Sequence, residues 1–344
     1  MKLKRCSVIA LAIGLLNGCM SQLDVPVVAM PNVDFPHTWQ QVADPGDLSD
    51  QDWIARFGDL ELNQLVSEAL VKNPDLQLVR AQLAAGLAQV TVSGAELFPT
   101  LDAGVSGSRS RRSSNGSHSI DSNFTAALQF SWEADLWDKL SDSSRAAVLS
   151  YEALQQDFEA ARLSLAANIS KTWFSAVEAN LQLALSQELV DNLGANLEVL
   201  EEGYRAGIFG ALDIHLARAN LAAEEGRLAV RRQTLGDSIR DLEVLLGRYP
   251  SNSLQLIADL PPLPGAVPAG LPSSLLERRH DIRAADYRFE SALAKISRAH
   301  KDRFPSLKLT ADYGVSSGDL GDLLRGNNLV WTALASLTQP LFDG

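Results

Sequence analysis

From Lys139 to Tyr249 the sequence contains no proline, and alanine, leucine, glutamate and glutamine dominate it. These residues are strong helix formers, so the composition predicts helix over most of the stretch. Apolar residues recur at three-, four- and seven-residue steps, which is the spacing of helices in coiled coils. The pattern predicts one helix from about Ser141 to Glu202, roughly 90 Å long, and a return helix from Ile214 to Leu246. Helices of this length are typical of coiled coils and not of a compact domain core.

A different period precedes the first long helix. In "NFTAALQFSWEADLW" (123–137) every second residue from Phe124 to Leu136 is apolar and the residues between them are mainly polar. A similar alternation occurs in "LDAGVSG" (101–107) and "LKLTADY" (307–313). Strands with one apolar and one polar face fit a membrane β-barrel with a water-filled lumen. Alternation alone fits a soluble sandwich with one solvated face equally well. A fourth strand, around 330–341, alternates too poorly for its faces to be assigned.

The barrel interpretation gives individual side chains a direction. Trp132 is expected to face lipid near the inner interface, where aromatic residues form a girdle. Four carboxylates are expected to face the lumen and to favour cations there. These are Asp102, Glu133, Asp135 and Asp312.

The chain repeats part of itself. Residues 73–108 align without a gap on residues 279–314, and both segments contain a Phe-Pro pair, at 98–99 and 304–305. The "LWD" at 136–138 returns as "LFD" at 341–343. This order of features predicts a tandem duplication of a helix followed by a hairpin. Two hairpins supply four strands, whereas the smallest membrane barrels need eight, so several chains must contribute to one barrel.

The N-terminus has the features of a bacterial lipoprotein signal. A positive start is followed by an apolar segment, Val8 to Leu16, that is too short to span a bilayer, which predicts a signal peptide over 1–18. The ending Leu16-Asn17-Gly18-Cys19 resembles a lipobox and predicts lipidation of Cys19; an ordinary signal peptide with a chance cysteine is the alternative. Met20 after the cysteine favours the outer membrane.

Composition argues against several classes of function. The net charge of −12 disfavours binding to nucleic acid and polybasic attachment to membranes. Neither cysteine is expected to form a disulfide, because Cys6 leaves with the signal peptide and Cys19 is lipidated. The histidines show no metal-ligand spacing, and no catalytic or phosphate-binding motif is present. We therefore expect no enzyme, no metal and no cofactor other than the covalent lipid.

Several motifs resemble one family. They are the lipobox, "WIARFGDLELNQLVSEALVKNPDL", "FPTLDAGVSGS", "SWEADLWDKL", "YRAGIFGALDIHLARANL", "GLPSSLLERRHDIRAAD", "RFPSLKLTADYG" and "LTQPLFDG". The chain resembles the TolC-like outer membrane efflux proteins, in their lipoprotein, NodT-like branch. The resemblance implies an α+β fold in which a long α-helical coiled-coil barrel joins a transmembrane β-barrel. Each chain would give four strands, and a homotrimer would close both barrels.

The resemblance also implies a function and partners. The protein would be the outer-membrane channel of a tripartite export system, conducting drugs or other small compounds from a periplasmic adaptor and an inner-membrane pump, usually of the RND type. The reversal "GYRAGIFGALDI" (203–214) would be the periplasmic tip that docks the adaptor. The family pattern there is met by Arg205, Gly207 and Asp213-Ile214. Ile208 and Phe209 are added as docking candidates, because an exposed apolar pair at a helix tip favours a partner. Asp213 could be a helix cap alone, or a cap that also contacts the adaptor.

Departures from the family pattern occur at two places. His280 stands where the family usually has proline in "RRPDI". A second pair of long helices would follow "LFDG", so we expect that the chain is truncated before that arm. A periplasmic adaptor-like lipoprotein with a coiled-coil hairpin is the alternative function.

The expected organisation combines these segments. It comprises a signal peptide (1–18), a lipid-anchored Pro-rich tether (19–52), a first repeat (53–249) with a helix, a hairpin (99–136) and a long helical hairpin (139–248), an equatorial linker (250–271), and an incomplete second repeat (272–344) with a helix and a hairpin (305–342).

Overall fold

The computed structural model describes residues 53–114, 117–257, 259–262 and 278–342. The signal peptide, the tether with Cys19 and most of the expected linker lie outside the described residues. The chain divides into two compact units. We call Ala84–Leu154 with Ala284–Gly344 the sheet unit, and Asp34–Leu83 with Gln155–Arg283 the helical unit.

Helices make up most of the described chain, and two antiparallel hairpins interrupt them. In chain order the elements are α1 (Leu60–Lys72), α2 (Pro74–Ala95), β1 (Thr100–Ser114), β2 (Ser117–Ala134), α3 (Lys139–Arg205), α4 (Ala211–Leu245), α5 (His280–Lys301), β3 (Ser306–Ser317) and β4 (Leu329–Thr338). The two long predicted helices are present. Helix α3 has 67 residues, about 100 Å at 1.5 Å per residue. Helices α2 and α5 begin and end 206 positions apart, as do the starts of β1 and β3.

Helices α1 and α2 are separated at Asn73, and the side chain of Asn73 explains the break. Its side-chain carbonyl accepts a hydrogen bond from the Leu76 backbone N–H at 2.9 Å, which caps α2. Its side-chain amide donates to the Leu245 carbonyl at 2.9 Å, at the last residue of α4. Pro74 then occupies the first helical position, where a missing N–H costs little. One buried side chain therefore joins the start of α2 to the end of α4.

The sheet has the strand order β1-β2-β3-β4, and all three pairings are antiparallel. The register aligns the alternating residues of all four strands, so one face is almost wholly apolar. We call it the apolar face: Leu101, Ala103, Val105, Phe124, Ala126, Leu128, Phe130, Trp132, Ala134, Leu307, Leu309, Ala311, Tyr313, Val315, Leu329, Trp331, Ala333, Ala335 and Leu337. The opposite, polar face carries mainly hydroxyl, amide and charged side chains.

The register also assigns the faces of β4, which the sequence pattern left open. Trp331 pairs with Tyr313 and therefore lies on the apolar face. Val330 and Leu334 lie on the polar face, beside Thr332. These two aliphatic residues on the polar side are the reason why the alternation of this segment is weak.

The core of the helical unit forms around Trp173 of α3. Its side chain is fully buried, and its indole N–H donates to Asp59 Oδ2 at 2.8 Å. Asp59 Oδ1 accepts from the Leu62 backbone N–H at 3.0 Å and so caps α1. The cluster also contains Leu62, Leu65, Val66, Ala69, Leu76, Leu165, Ala166, Ile169, Val177, Leu242 and Leu246. The long helices are thus packed against α1 on one side of this unit.

Two searches of the described residues gave no result. No helix among them is both long and apolar enough to cross a bilayer. No group of three or more histidine, cysteine, aspartate or glutamate residues in the described ranges is arranged to hold a metal ion.

Candidate functional site

The first candidate site is the junction between β2 and α3, where the hydrophobic period changes. Strand β2 ends at Ala134, so Asp135 lies just beyond it. The Asp135 carboxylate accepts hydrogen bonds from the backbone N–H groups of Leu140 and Ser141, at 3.0 and 2.8 Å, and from Ser141 Oγ at 2.7 Å. Burial alone would raise the pKa of Asp135, but these hydrogen bonds hold that pKa below its usual range. Asp135 therefore neutralises the N-terminal end of the longest helix.

Glu133 is also engaged at this junction. It accepts from Lys139 Nζ at 2.6 Å, and the same ammonium lies 3.8 Å from Asp302. Lys308 is the cross-strand partner of Glu133 on β3. Two cations therefore lie next to this carboxylate. The sequence pattern gave no role to Lys139, although its position one turn after the strand end was a signal for such a pair.

Two tryptophans connect the junction to the starts of both hairpins. Trp132 Nε1 donates to the Leu97 carbonyl at 3.0 Å, directly before the first Phe-Pro pair. Trp137 Nε1 donates to the Pro305 carbonyl at 2.8 Å, within the second Phe-Pro pair. The Trp137 ring also packs on Phe304, with centroids 5.2 Å apart. The "SWEADLWDKL" segment thus ties the entry points of β1 and β3 to the start of α3.

The four carboxylates predicted for the lumen do not share one environment. Asp102 and Asp312 are the two cross-strand partners of Gln129. They therefore lie on the polar face at one level, on either side of Gln129. Glu133 lies on the same face, next to the junction. Asp135 lies outside the strand and serves as the helix cap described above. The structure therefore brings Asp102 and Asp312 together and leaves the lumen-facing assignment of all four a prediction.

The second candidate site is the reversal between α3 and α4, which we call the tip. Gly207 has a φ of 74°, a left-handed conformation that glycine adopts without steric cost. The Gly207 N–H donates to the Tyr204 carbonyl at 2.9 Å, and the Ile208 N–H donates to the Gly203 carbonyl at 2.8 Å. This pair of bonds is a Schellman motif, which satisfies carbonyls at the end of α3.

Asp213 holds the other side of the tip. Its Oδ2 accepts from the Gly210 N–H at 3.0 Å, and its own N–H donates to the Gly210 carbonyl at 3.2 Å. These contacts fix the first turn of α4 reciprocally. The capping role considered for Asp213 is therefore seen in the structure. Whether the residue also contacts an adaptor stays a prediction.

The surface of the tip combines apolar and charged groups. Exposed apolar side chains cover it, and we call them the tip patch: Tyr204, Ile208, Phe209, Leu212 and Leu216. Ile208 is 72% exposed, whereas the Phe209 ring lies over Gly203, where an added Cβ would come within 2.3 Å of it.

Two arginines surround one carboxylate beside the patch. Glu201 accepts from Arg218 Nη2 at 2.6 Å, and Arg205 Nη2 lies 3.8 Å away from it. The hydrogen bond from Arg218 is the main reason why the pKa of Glu201 lies below its usual range. Since Arg205 is 73% exposed, its guanidinium is free to reach a partner. The sequence pattern does not single out Glu201 or Arg218, which face each other only because the chain reverses.

Known proteins share this arrangement of helices and strands. The solved structure of the outer-membrane channel OprN matches with a TM-score of 0.80 at 25% identity, covering 90% of this chain and 71% of OprN. The Campylobacter jejuni CmeC outer membrane channel matches with a TM-score of 0.79 at 28% identity, covering 91% of this chain and 70% of CmeC.

Sequence comparison gives relatives of the same kind. The probable efflux pump outer membrane protein TtgC of Pseudomonas putida (strain KT2440) is 29% identical over 345 residues, covering 96% of this chain and 70% of TtgC. A model of the family described as "Outer membrane efflux protein" matches residues 65–248 and 271–344. The chain is therefore an outer-membrane protein that belongs to the outer membrane efflux protein family.

Proposed function

We propose that this chain is one protomer of a homotrimeric outer-membrane efflux channel. One observation carries the proposal: a four-stranded sheet with an apolar and a polar face continues, at one end of its strands, directly into the long helices. Four strands cannot close a membrane barrel, and the outer strands β1 and β4 each have one unpaired edge in the described sheet. Three copies joined edge to edge give twelve strands, with the apolar faces toward lipid and the polar faces toward a lumen. The matching offsets of α2 and α5 support an origin of the protomer by tandem repeat.

The helices complete the route that exported molecules take. Packed side by side, α3 and α4 of several protomers would form a tube that ends at the tip. The tip patch favours a protein partner, because clustered apolar side chains on a helix end lower solubility unless they are covered. A periplasmic adaptor coupled to an inner-membrane pump is the partner that fits this position. The family assignment supports transport of small compounds and leaves the exported compound open.

The channel proposal predicts cation preference in the barrel. Protein purified from outer-membrane fractions and reconstituted in planar bilayers is expected to conduct cations better than chloride. Because Asp102 and Asp312 lie at one level of the polar face, Asp102→Asn with Asp312→Asn is expected to lower the permeability ratio about threefold or more. Glu133 contributes less, since Lys139 and Lys308 lie beside it.

A carboxylate outside the sheet provides the control. Asp75→Asn removes an exposed charge on α2 and is expected to leave the ratio unchanged. An absence of conductance in the wild type would refute the channel. Chloride preference, or no change in the double variant, would show that the polar face does not line the pore.

Lipidation of Cys19 is proposed as the membrane anchor of the N-terminal tether. The lipobox supports it, and several acyl chains give stable anchoring where a single chain does not. Cells grown with a fatty-acid analogue should label the wild type and show no label in Cys19→Ala. Cys6→Ala is the matched control and should keep the label. Equal labelling of wild type and Cys19→Ala would contradict the proposal.

A further inference from the structure

The apolar face of the sheet ends at two arginines. Along the β1–β2 pair, the last apolar row contains Phe124 opposite Gly107. The next two rows on the same face contain Arg109 opposite Ser122 and Arg111 opposite Ile120. Both arginine side chains are exposed. The change from apolar to cationic is therefore abrupt, and it occurs at the end of the strands that is farther from the helices.

The height of the apolar band locates these arginines in a membrane. Ten residue steps separate Ala134 from Phe124 on β2, about 34 Å along an antiparallel strand. At a strand tilt of about 40°, this corresponds to about 26 Å along the membrane normal, close to the apolar band of about 25 Å in known barrels. Arg109 and Arg111 lie roughly 5 and 10 Å beyond the band. That is the level of the lipid headgroups.

The two guanidinium groups are available to a ligand. Within the described ranges, neither Arg109 nor Arg111 forms an ion pair or a side-chain hydrogen bond. Asp121, the nearest carboxylate along this hairpin, pairs with Ser110 and therefore belongs to the opposite face. Arg112 also lies on that opposite face, opposite Ser119. In a chain with a net charge of −12, two exposed cations without an ion-pair partner in the described ranges, at one edge of an apolar surface, favour an anionic ligand.

We propose that Arg109 and Arg111 bind the phosphate groups of the glycolipid that forms the outer leaflet, lipopolysaccharide. The inference rests on the proposed function, because it requires that the apolar face meets lipid and that the helices lie on the periplasmic side. Acyl chains would then cover the band up to Phe124, and the diphosphorylated headgroup would lie beside the two arginines. The planar guanidinium group can donate two parallel hydrogen bonds to one phosphate, which makes arginine well suited to a phosphorylated headgroup.

The test measures binding of a defined lipid. Detergent-purified protein is titrated with fluorescent, diphosphorylated lipid A in mixed micelles, and Arg109→Gln with Arg111→Gln is compared with wild type. Each cation near an anionic surface contributes about a factor of five, so the double variant is expected to bind about 25-fold more weakly. Arg112→Gln removes one positive charge from the same strand on the other face. It is expected to bind within about twofold of wild type.

Several outcomes would overturn the proposal. One is a loss of about fivefold in Arg112→Gln, the effect expected of any single cation near an anionic surface. Another is equal affinity for lipid A from which both phosphates have been removed. Displacement of lipid A by millimolar inorganic phosphate would indicate a site for a free anion instead. Flotation with phosphatidylcholine vesicles separates this inference from the proposed function. If the wild type does not insert into the vesicles, the proposed channel function is refuted. If all variants insert and the arginine substitutions leave lipid A binding unchanged, only the lipopolysaccharide inference is refuted.

Discussion

Replacing Trp173 with alanine is expected to lower the free energy of unfolding of the helical unit by about 3–5 kcal/mol. The side chain is fully buried among the residues that join α1 to α3, so the substitution removes a large apolar surface and leaves a cavity. It also removes the hydrogen bond to Asp59 Oδ2. Because Asp59 is itself 7% exposed and caps α1, its carboxylate would lose a donor that water replaces poorly.

Chemical denaturation followed by far-ultraviolet circular dichroism measures this loss of stability. Two further variants serve for comparison, one at the same position and one at an exposed position of the same helix. Trp173→Phe keeps an aromatic ring but loses the indole N–H and part of the ring volume, so about 1–3 kcal/mol of destabilisation is expected. Leu185→Ala, on the same helix but 61% exposed, is expected to change stability by about 0.5 kcal/mol or less. A loss in Trp173→Ala no larger than that in Leu185→Ala would show that this cluster is not the core of the unit.

The sequence predicts the architecture well where a single period decides it. The change of period between Phe130 and Lys139 correctly marks where a strand gives way to a helix, because alternation and helical spacing are both local properties. The break at Asn73-Pro74 and the left-handed conformation of Gly207 can be predicted from sequence in the same way, since both follow from the conformational limits of one or two residues. These predictions needed no knowledge of what packs against them.

The roles of the junction carboxylates could not be predicted in the same way. If β2 continued, the alternation of its side chains would put Glu133 and Asp135 on the same face. The strand ends at Ala134, however, so the alternation does not apply to Asp135. Beyond it, the unpaired N–H groups at the start of α3 decide the position of Asp135. An acid shortly before a helix start is a known capping signal, and it was the stronger one here. The faces of β4 could not be predicted from sequence for another reason. Val330 and Trp331 are both apolar, and only the pairing with β3 shows which of them lies on the apolar face.

The same limit applies to contacts across the tip. Glu201 and Arg218 are distant in sequence and meet because α3 and α4 run in opposite directions. Their separation depends on the length of the reversal, which is set by two capping motifs, at Gly207 and at Gly210. Single-residue preferences therefore predict the turn, while the charge arrangement on its surface requires the structure.

Substituting Gly207 with valine is expected to abolish docking of the tip to its adaptor. The left-handed φ of 74° is unfavourable for any residue with a side chain and worst for a β-branched one, with a cost of about 1–3 kcal/mol. The chain would relieve this strain by giving up the hydrogen bonds from Gly207 and Ile208, and the tip patch would lose its arrangement. Barrel insertion and expression should be preserved, because no residue of the sheet unit is involved.

Arg205→Ala probes the same surface without changing the backbone. Since its guanidinium is largely exposed and only loosely paired with Glu201, its loss should not affect folding. If Arg205 contacts the adaptor, its removal is expected to weaken binding about tenfold, as for a typical energetic contact in an interface, and to raise drug sensitivity. Unchanged adaptor binding in Arg205→Ala would show that Arg205 is not part of the interface. Whether the rest of the turn contacts the adaptor would then be decided by the crosslinking experiment.

Crosslinking decides whether the tip is the docking point at all. Ile208→Cys places a thiol on the tip patch, and Leu185→Cys places one on the body of α3, 20 positions before its end at Arg205. The native side chains are 72% and 61% exposed, so both thiols are comparably accessible to a reagent. If the adaptor meets the channel end to end, the cysteine at 208 should crosslink about tenfold more strongly, and Gly207→Val in the same chain should remove most of that signal. Stronger crosslinks from position 185 would mean that the adaptor lies along the sides of the helices, and the tip patch would then need a different partner.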